Sequence, residues 1–215
     1  MTTVSDNYKI EFYKFLNGDK SVEDLENFIY SQPDLELQLG NETYFSLIDL
    51  NFKDKYDKAK LPGLIKNRVI EEGQFETWKL KRILNDFLTQ PEKIDLNLDK
   101  IYHLYCGVYQ GNGVRRYEYK FLGNLGINYL YWTDEGYLKT FYGNNWKAEY
   151  EKCLTEFEFY HKQLKNFATE IVSAIDNEEI EIFNDGTYRI SNTLKNKLET
   201  DEIYKLKRPN EKFGS

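Results

Sequence analysis

The sequence predicts an α+β protein, in which an N-terminal helical bundle packs on an antiparallel β-meander and a long helix of the C-terminal half covers the meander. Three patterns predict this. Apolar residues recur at helical spacing up to residue 88, aromatic and polar residues alternate around glycines over residues 101–142, and helical spacing returns over residues 146–176. We expect a helical domain over residues 1–92 and a sheet domain over residues 93–215. The short connector 91–100 carries apolar residues, which favours packing of the two domains as one compact unit.

Two amphipathic helices are predicted first. Ser5 or Asp6 can cap the first helix, and Gly18 lies just beyond its end. The run from Ser21 to Asp24 has the spacing of a capping box, which predicts a second helix through residue 30. The apolar stripes at helical spacing are Tyr8, Phe12, Phe15 and Leu16 in the first helix and Val22, Leu25, Phe28 and Ile29 in the second.

Three further helices are predicted over residues 42–50, 62–72 and 74–88. Pro62 suits the first turn of a helix, because its missing N–H would have no partner there. Gly73 suits a C-terminal cap, and Pro91 closes the series because proline cannot continue a helix.

The predicted meander begins with a hairpin around Asn112 and Gly113. A two-residue turn there gives one wholly apolar face, since it opposes Leu104, Cys106 and Val108 to Phe121, Tyr119 and Tyr117 respectively. A three-residue turn would instead oppose these residues to charged ones, so we expect the two-residue turn. A second hairpin is predicted from residues 127–132 and 137–142, and a helix over residues 124–132 is the alternative.

The C-terminal part is predicted to hold a long helix and a last hairpin. Asn144 or Asn145 can cap the helix, whose apolar face would cover the sheet. In the hairpin, the loop Asn184-Asp185-Gly186 aligns Ile180 with Ile190 and Ile182 with Tyr188. A short helix from Asn192 to residue 198 and a polar tail over residues 205–215 follow.

Composition excludes several classes of protein. The net charge of −7 argues against nucleic-acid binding, which relies on clustered Lys and Arg, and favours a basic partner. There is no signal-like or membrane-spanning run, so we expect a cytoplasmic protein that does not bind a membrane. Cys106 and Cys153 are expected to be reduced. With only two histidines in the chain and no spacing that brings them to a cysteine, we expect no metal and no cofactor.

Two alternative functions follow from local patterns. Glu118 and Lys120 lie two apart on a predicted strand and so share a face, as in metal-dependent nucleases, where a carboxylate and a lysine are the catalytic pair. This hypothesis lacks a neighbouring carboxylate, because Gly107 is the residue predicted opposite Glu118. The second alternative is a small-ligand binder whose pocket is lined by aromatic residues, which make up 16% of the chain.

The outer face of the first predicted hairpin is the candidate partner-binding surface. Aromatic and charged side chains of this mixture are common at protein interfaces and on solvated strands. The predicted register places five of them on this face: Tyr105, Tyr109, Arg116, Glu118 and Lys120.

Residues 12–53, FYKFLNGDKSVEDLENFIYSQPDLELQLGNETYFSLIDLNFK, combine an aromatic helix, Leu16-Asn17-Gly18, and a Ser-capped helix that carries Leu25-Glu26 and Tyr30. Over these residues the chain resembles the N-terminal part of small bacterial proteins that are regarded as immunity proteins to polymorphic toxins. The resemblance covers about a fifth of the chain and assigns no binding residue. It implies a non-enzymatic inhibitor that binds a toxin, and this is the function that we expect.

Overall fold

The computed structural model describes residues 4–110 and 114–200. It shows a mostly helical α+β protein with two small antiparallel strand pairs among the described residues. The chain divides into two compact units, an N-terminal unit up to Lys79 and a C-terminal unit from Leu80. The division falls inside the helix Glu72–Thr89, upstream of the boundary predicted after residue 92.

The described part of the N-terminal unit is helical throughout. Its helices are α1 (Asp6–Leu16), α2 (Val22–Ser31), α3 (Leu35–Leu39), α4 (Asn41–Ile48), α5 (Lys55–Arg68) and the start of α6 (Glu72–Thr89). The capping box is confirmed, since the Ser21 hydroxyl accepts from the backbone N–H of Asp24 and the Asp24 carboxylate accepts from that of Ser21. The stripes of α1 and α2 meet in one apolar core, whose fully buried members include Phe12, Leu25, Ile29, Leu47, Leu61 and Ile65.

Two predicted helix ends in this unit are wrong. Pro62 lies inside α5 and not in its first turn, because Asp54 caps the helix earlier: its carboxylate accepts from the N–H groups of Tyr56 and Asp57 at 2.8 and 3.1 Å. Gly73 lies inside α6, so it is no C-terminal cap. The lysine-rich start of α5 has few apolar residues at regular helical spacing, so hydrophobic periodicity does not predict a helix there.

The C-terminal unit contains helices where the meander was expected. Its elements are the end of α6, then α7 (Ile94–Cys106), β1 (Val108–Gln110), β2 (Val114–Arg116), α8 (Gly123–Trp132), α9 (Glu135–Tyr142), α10 (Trp146–Thr155), α11 (Phe157–Asp176), β3 (Ile180–Ile182), β4 (Tyr188–Ile190) and α12 (Asn192–Leu198). Single 3₁₀ turns cover Pro91–Lys93, Lys120–Leu122 and Gly143–Asn145.

The meander prediction over residues 101–142 is therefore wrong except for β1 and β2. Residues 101–106 complete α7, whose buried positions Ile94, Leu98 and Ile101 keep a helical period that begins before the predicted sheet. The alternative helix over residues 124–132 is confirmed as α8. Gly126 is no turn residue there: a Cβ on it would lie 3.0 Å from Tyr105 Cβ, so glycine permits the close approach of α8 to α7.

The predicted register of the first hairpin is also wrong. Val108 pairs with Arg116 and Tyr109 with Arg115, one residue away from the predicted pairing. Asn112 and Gly113, where the turn was predicted, lie outside the described residues. Tyr119 and Phe121 are nevertheless fully buried, as expected, because the segment after β2 packs into the core next to Tyr188.

The long helix is broken in two at Glu156, and the Asn145 side chain makes no capping hydrogen bond. Leu164 and Ile171 of α11 are buried as predicted, but the face packs against α8 as well as β3 and covers no meander. The last hairpin is confirmed in full: Ile180 pairs with Ile190, Ile182 pairs with Tyr188, and Gly186 has the left-handed φ of +81°. The predicted polar tail lies outside the described residues.

Among the described residues, no helix is both long enough and apolar enough to cross a membrane. Cys106 and Cys153, both described, form no disulfide with each other.

Candidate functional site

The β1–β2 hairpin is attached to the loop between β3 and β4. The Arg116 Nε–H donates to the carbonyl oxygen of Asp185 at 2.9 Å, and the Tyr117 N–H donates to that of Gly186 at 3.3 Å. Beyond the hairpin, the Tyr119 N–H donates to the Leu104 carbonyl at the end of α7, at 3.0 Å. These bonds fix the position of a hairpin that would be only marginally stable by itself.

Two glycines make this attachment sterically feasible. Gly107 ends α7 with a φ of +69°, and a Cβ on it would lie 2.8 Å from Glu118 Cβ. A Cβ on Gly186 would lie 2.9 Å from the Tyr117 ring. Tyr117 itself has a φ of 57°, a conformation that is strained for an aromatic residue. The strain is offset by the hydrogen bond and the ring packing that Tyr117 makes at the β3–β4 loop.

The hairpin presents apolar side chains to solvent. Val108 is 59% exposed and Tyr109 is 67% exposed, although both lie in a strand. Tyr109 pairs across the strands with Arg115, which is also exposed. Tyrosine and arginine are among the residues most enriched in the energetic centres of protein interfaces. We define the hairpin face as Tyr109 and Arg115, which are cross-strand partners and so lie on one side of the strand pair; Val108 lies on the other side, opposite Arg116.

The charges beside the hairpin face form a small network. The Glu118 carboxylate lies 3.8 Å from the guanidinium of Arg115 and 3.8 Å from the ammonium of Lys120. In the adjoining loop, hydrogen bonds from the Thr187 hydroxyl and N–H, with attraction to Arg116, lower the pKa of Asp185 below its usual value. The Asp185 carboxylate therefore stays ionised at neutral pH and neutralises part of the positive charge of Arg116.

The five sequence-predicted residues are only partly brought together. Tyr109, Arg116, Glu118 and Lys120 lie on or just after the hairpin, whereas Tyr105 lies on α7, where it packs against the core. Arg116 points to the β3–β4 loop, and the cross-strand partner of Tyr109 is Arg115, which was not among the predicted site residues. A three-residue turn would have identified Arg115, because it shifts the pairing by one residue.

The geometry gives little support to either alternative function, the metal-dependent nuclease or the small-ligand binder. Glu118 is engaged by two cations, and the described residues hold no group of three or more His, Cys, Asp or Glu side chains suited to a metal ion. A cleft of about 360 Å³ lies beside β4, but no aromatic side chain lines it; its lining consists of Glu178, Glu179, Arg189, Ile190, Ser191 and Asn192.

Tyrosines on α1, α7 and α8 have strongly raised pKa values. Burial raises the pKa of Tyr13 to about 12. A hydrogen bond with Cys106, together with burial, raises that of Tyr102 to about 12. Burial and the nearby Asp99 carboxylate do the same for Tyr129, whose ring stacks on Tyr102 with centroids 5.4 Å apart. All three phenols hold their proton more tightly in the folded chain than in the unfolded one.

This difference predicts alkaline destabilisation. The unfolded chain loses these protons near pH 10, roughly the ordinary pKa of tyrosine, so their contribution to stability is complete below that pH. We expect the free energy of unfolding to fall as the pH rises from about 10 through about 12. Urea denaturation at a series of pH values measures the free energy of unfolding. Tyr102→Phe removes one of the three phenols, so its free energy of unfolding should fall less steeply with pH. A free energy that stays level across this window would contradict the prediction.

Comparison of the chain with protein-family models, with curated proteins and with solved structures yields no match.

Proposed function

We propose that this protein is a non-enzymatic protein-binding module, an immunity-type inhibitor that holds a toxin protein through the hairpin face. The observation that carries the proposal is the exposure of Tyr109 beside its cross-strand partner Arg115, on strands fixed in place by Arg116 and Tyr117. A face that is held in place before binding loses little conformational entropy when a partner arrives.

Two further features support a protein partner. The net charge of −7 favours association with a basic protein, whose approach it would accelerate. The resemblance of residues 12–53 to immunity proteins of polymorphic toxins supports a toxin as that protein.

The test is affinity capture from the native cells, with quantitative mass spectrometry of the bound proteins. We expect the intact chain to retain one protein far above background, and the double variant Tyr109→Ala, Arg115→Ala to retain at least about tenfold less of it, as for a hot-spot pair. Phe141→Ala with Lys147→Ala removes a similar exposed aromatic and cation from α9 and α10 and should change nothing. Equal retention by both double variants would refute the role of the hairpin face, and no retained protein at all would refute the proposed function.

A further inference from the structure

A second surface, in the N-terminal unit, exposes large aromatic side chains. Tyr30 near the end of α2 is 57% exposed, and Phe45 on α4 is 45% exposed. The two helix ends are adjacent, since the Tyr30 hydroxyl lies 3.5 Å from the Ile48 carbonyl oxygen and the Tyr30 ring lies 6.5 Å from that of Phe52. Two rings are therefore presented to solvent from neighbouring helices.

Acidic residues flank these rings at the same spacing on both helices. Glu23 and Glu26 precede Tyr30 at i, i+3 and i+7 on α2, opposite the buried Leu25 and Ile29. On α4, Glu42, Phe45 and Asp49 repeat the spacing, opposite the buried Leu47. Residues so spaced share one side of a helix, so each helix turns an acidic and aromatic stripe to the outside. We define the acidic-aromatic face as Glu23, Glu26, Tyr30, Glu42, Phe45 and Asp49.

The charge of this region is unbalanced. Residues 21–52 contain seven acids and no Lys, Arg or His; the acids are Glu23, Asp24, Glu26, Asp34, Glu36, Glu42 and Asp49. The whole chain has 36 acidic and 29 basic residues, so outside this stretch acids and bases are equal at 29 each. The entire net charge of −7 therefore arises from α2, α3, α4 and their connections.

Little of this charge is neutralised within the unit. Arg68 donates from Nη1 to the Glu42 carboxylate at 2.8 Å. Within the described ranges 4–110 and 114–200, Glu23, Glu26 and Asp49 form no ion pair. Their mutual repulsion is not relieved inside the folded chain, and a cationic ligand would relieve it.

We propose that the acidic-aromatic face binds a cationic segment of a partner protein, in which Lys or Arg residues alternate with apolar ones. The carboxylates would pair with the cations, and the rings of Tyr30 and Phe45 would cover the apolar side chains and accept cations on their faces. Nucleic acids and anionic membranes are disfavoured because the surface repels phosphates. This surface is distinct from the hairpin face and goes beyond the function proposed above, with which it shares only the class of ligand.

The test uses a fluorescent synthetic peptide of Lys and Arg interspersed with Leu, and the same peptide with Glu at every basic position. Binding to the full chain is followed by fluorescence anisotropy. We expect the basic peptide to bind with an affinity that falls as salt is raised, and the acidic peptide not to bind. Glu23→Lys, Glu26→Lys and Asp49→Lys together should weaken binding at least about tenfold.

A matched control distinguishes an effect of the acidic-aromatic face on binding from an effect of the net charge of the chain. Glu92→Lys, Glu151→Lys and Glu158→Lys change the net charge by the same amount at exposed positions elsewhere, and should weaken binding less than about twofold. Tyr30→Ala with Phe45→Ala should weaken it about tenfold without a change in charge. Circular dichroism checks that each variant is folded.

Three results would overturn the inference: no binding of the basic peptide, equal weakening by both charge-reversal triples, or unchanged affinity after loss of both rings. The hairpin variant Tyr109→Ala, Arg115→Ala should bind the peptide as the intact chain does. If the peptide fails to bind while a cellular partner is still captured through the hairpin face, this inference fails and the proposed function stands.

Discussion

Replacing Phe121 with alanine is expected to lower the free energy of unfolding by about 3–5 kcal/mol, the range for removal of a buried aromatic ring. Phe121 has no exposed surface, and its ring lies 5.0 Å from that of Tyr188 in an edge-to-face contact and 5.6 Å from the stacked ring of Tyr119. The three rings hold the segment after β2 against the last hairpin, so the cavity would lie in the apolar core of the C-terminal unit. Urea denaturation followed by circular dichroism measures the loss.

Phe141→Ala is the matched control, because it removes the same side chain from a position that is 64% exposed. Its ring stacks on Tyr137 with centroids 4.3 Å apart, so we expect a loss below about 1.5 kcal/mol. If the two variants lost equal stability, the assignment of Phe121 to the core would be wrong.

The second large effect is expected for Gly107→Ala, at roughly 2–4 kcal/mol. Part of this loss of folding free energy arises because alanine is strained at a φ of +69°. The rest is steric, since the new Cβ would lie 2.8 Å from Glu118 Cβ and 2.9 Å from the carbonyl oxygen of Arg116. Backbone must then shift, which displaces β1 from β2. The variant should therefore also lose partner capture through Tyr109.

Gly143→Ala isolates the backbone part of this effect, so the difference between the two glycine variants gives the steric part. Gly143 also has a positive φ, of +52°, but a Cβ on it would meet nothing within 4 Å. We expect it to lose only about 1–2 kcal/mol, the cost of the backbone conformation, and to capture the partner normally. Equal losses for the two glycine variants would show that the close contact at Gly107 does not constrain the hairpin.

The helical N-terminal unit could be predicted from local signals. The Ser21 capping box and the position of Gly18 after α1 act over three or four residues, and the structure confirms both α1 and α2. The β3–β4 register was predicted for the same reason, because the loop ending at Gly186 permits one pairing. The start of α5 was missed because Pro62 was given a first-turn role that the Asp54 cap overrides, and Gly73, which was expected to cap a helix C-terminus, lies in the first turn of α6.

Prediction from local signals fails over residues 101–142. Tyrosines fit either a helix or a strand, so alternation of Tyr with polar residues could not decide between period 2 and period 3.6. Glycine was taken as turn-forming throughout, but Gly126 serves the packing of α8 on α7, which involves residues more than twenty positions away. The one-residue error in the β1–β2 register followed from assuming that Val108 must be buried.

The two candidate surfaces likewise depend partly on the sequence and partly on the tertiary structure. The chain's sequence by itself determined α1, α2, the last hairpin and the concentration of negative charge in residues 21–52, since each depends on residues near one another in the chain. Only the tertiary structure decided that Tyr109 pairs with Arg115, and that Tyr30 and Phe45 are exposed on neighbouring helices. The reason is physical: caps and turns act over a few residues, whereas register, burial and close helix packing depend on which distant segments meet.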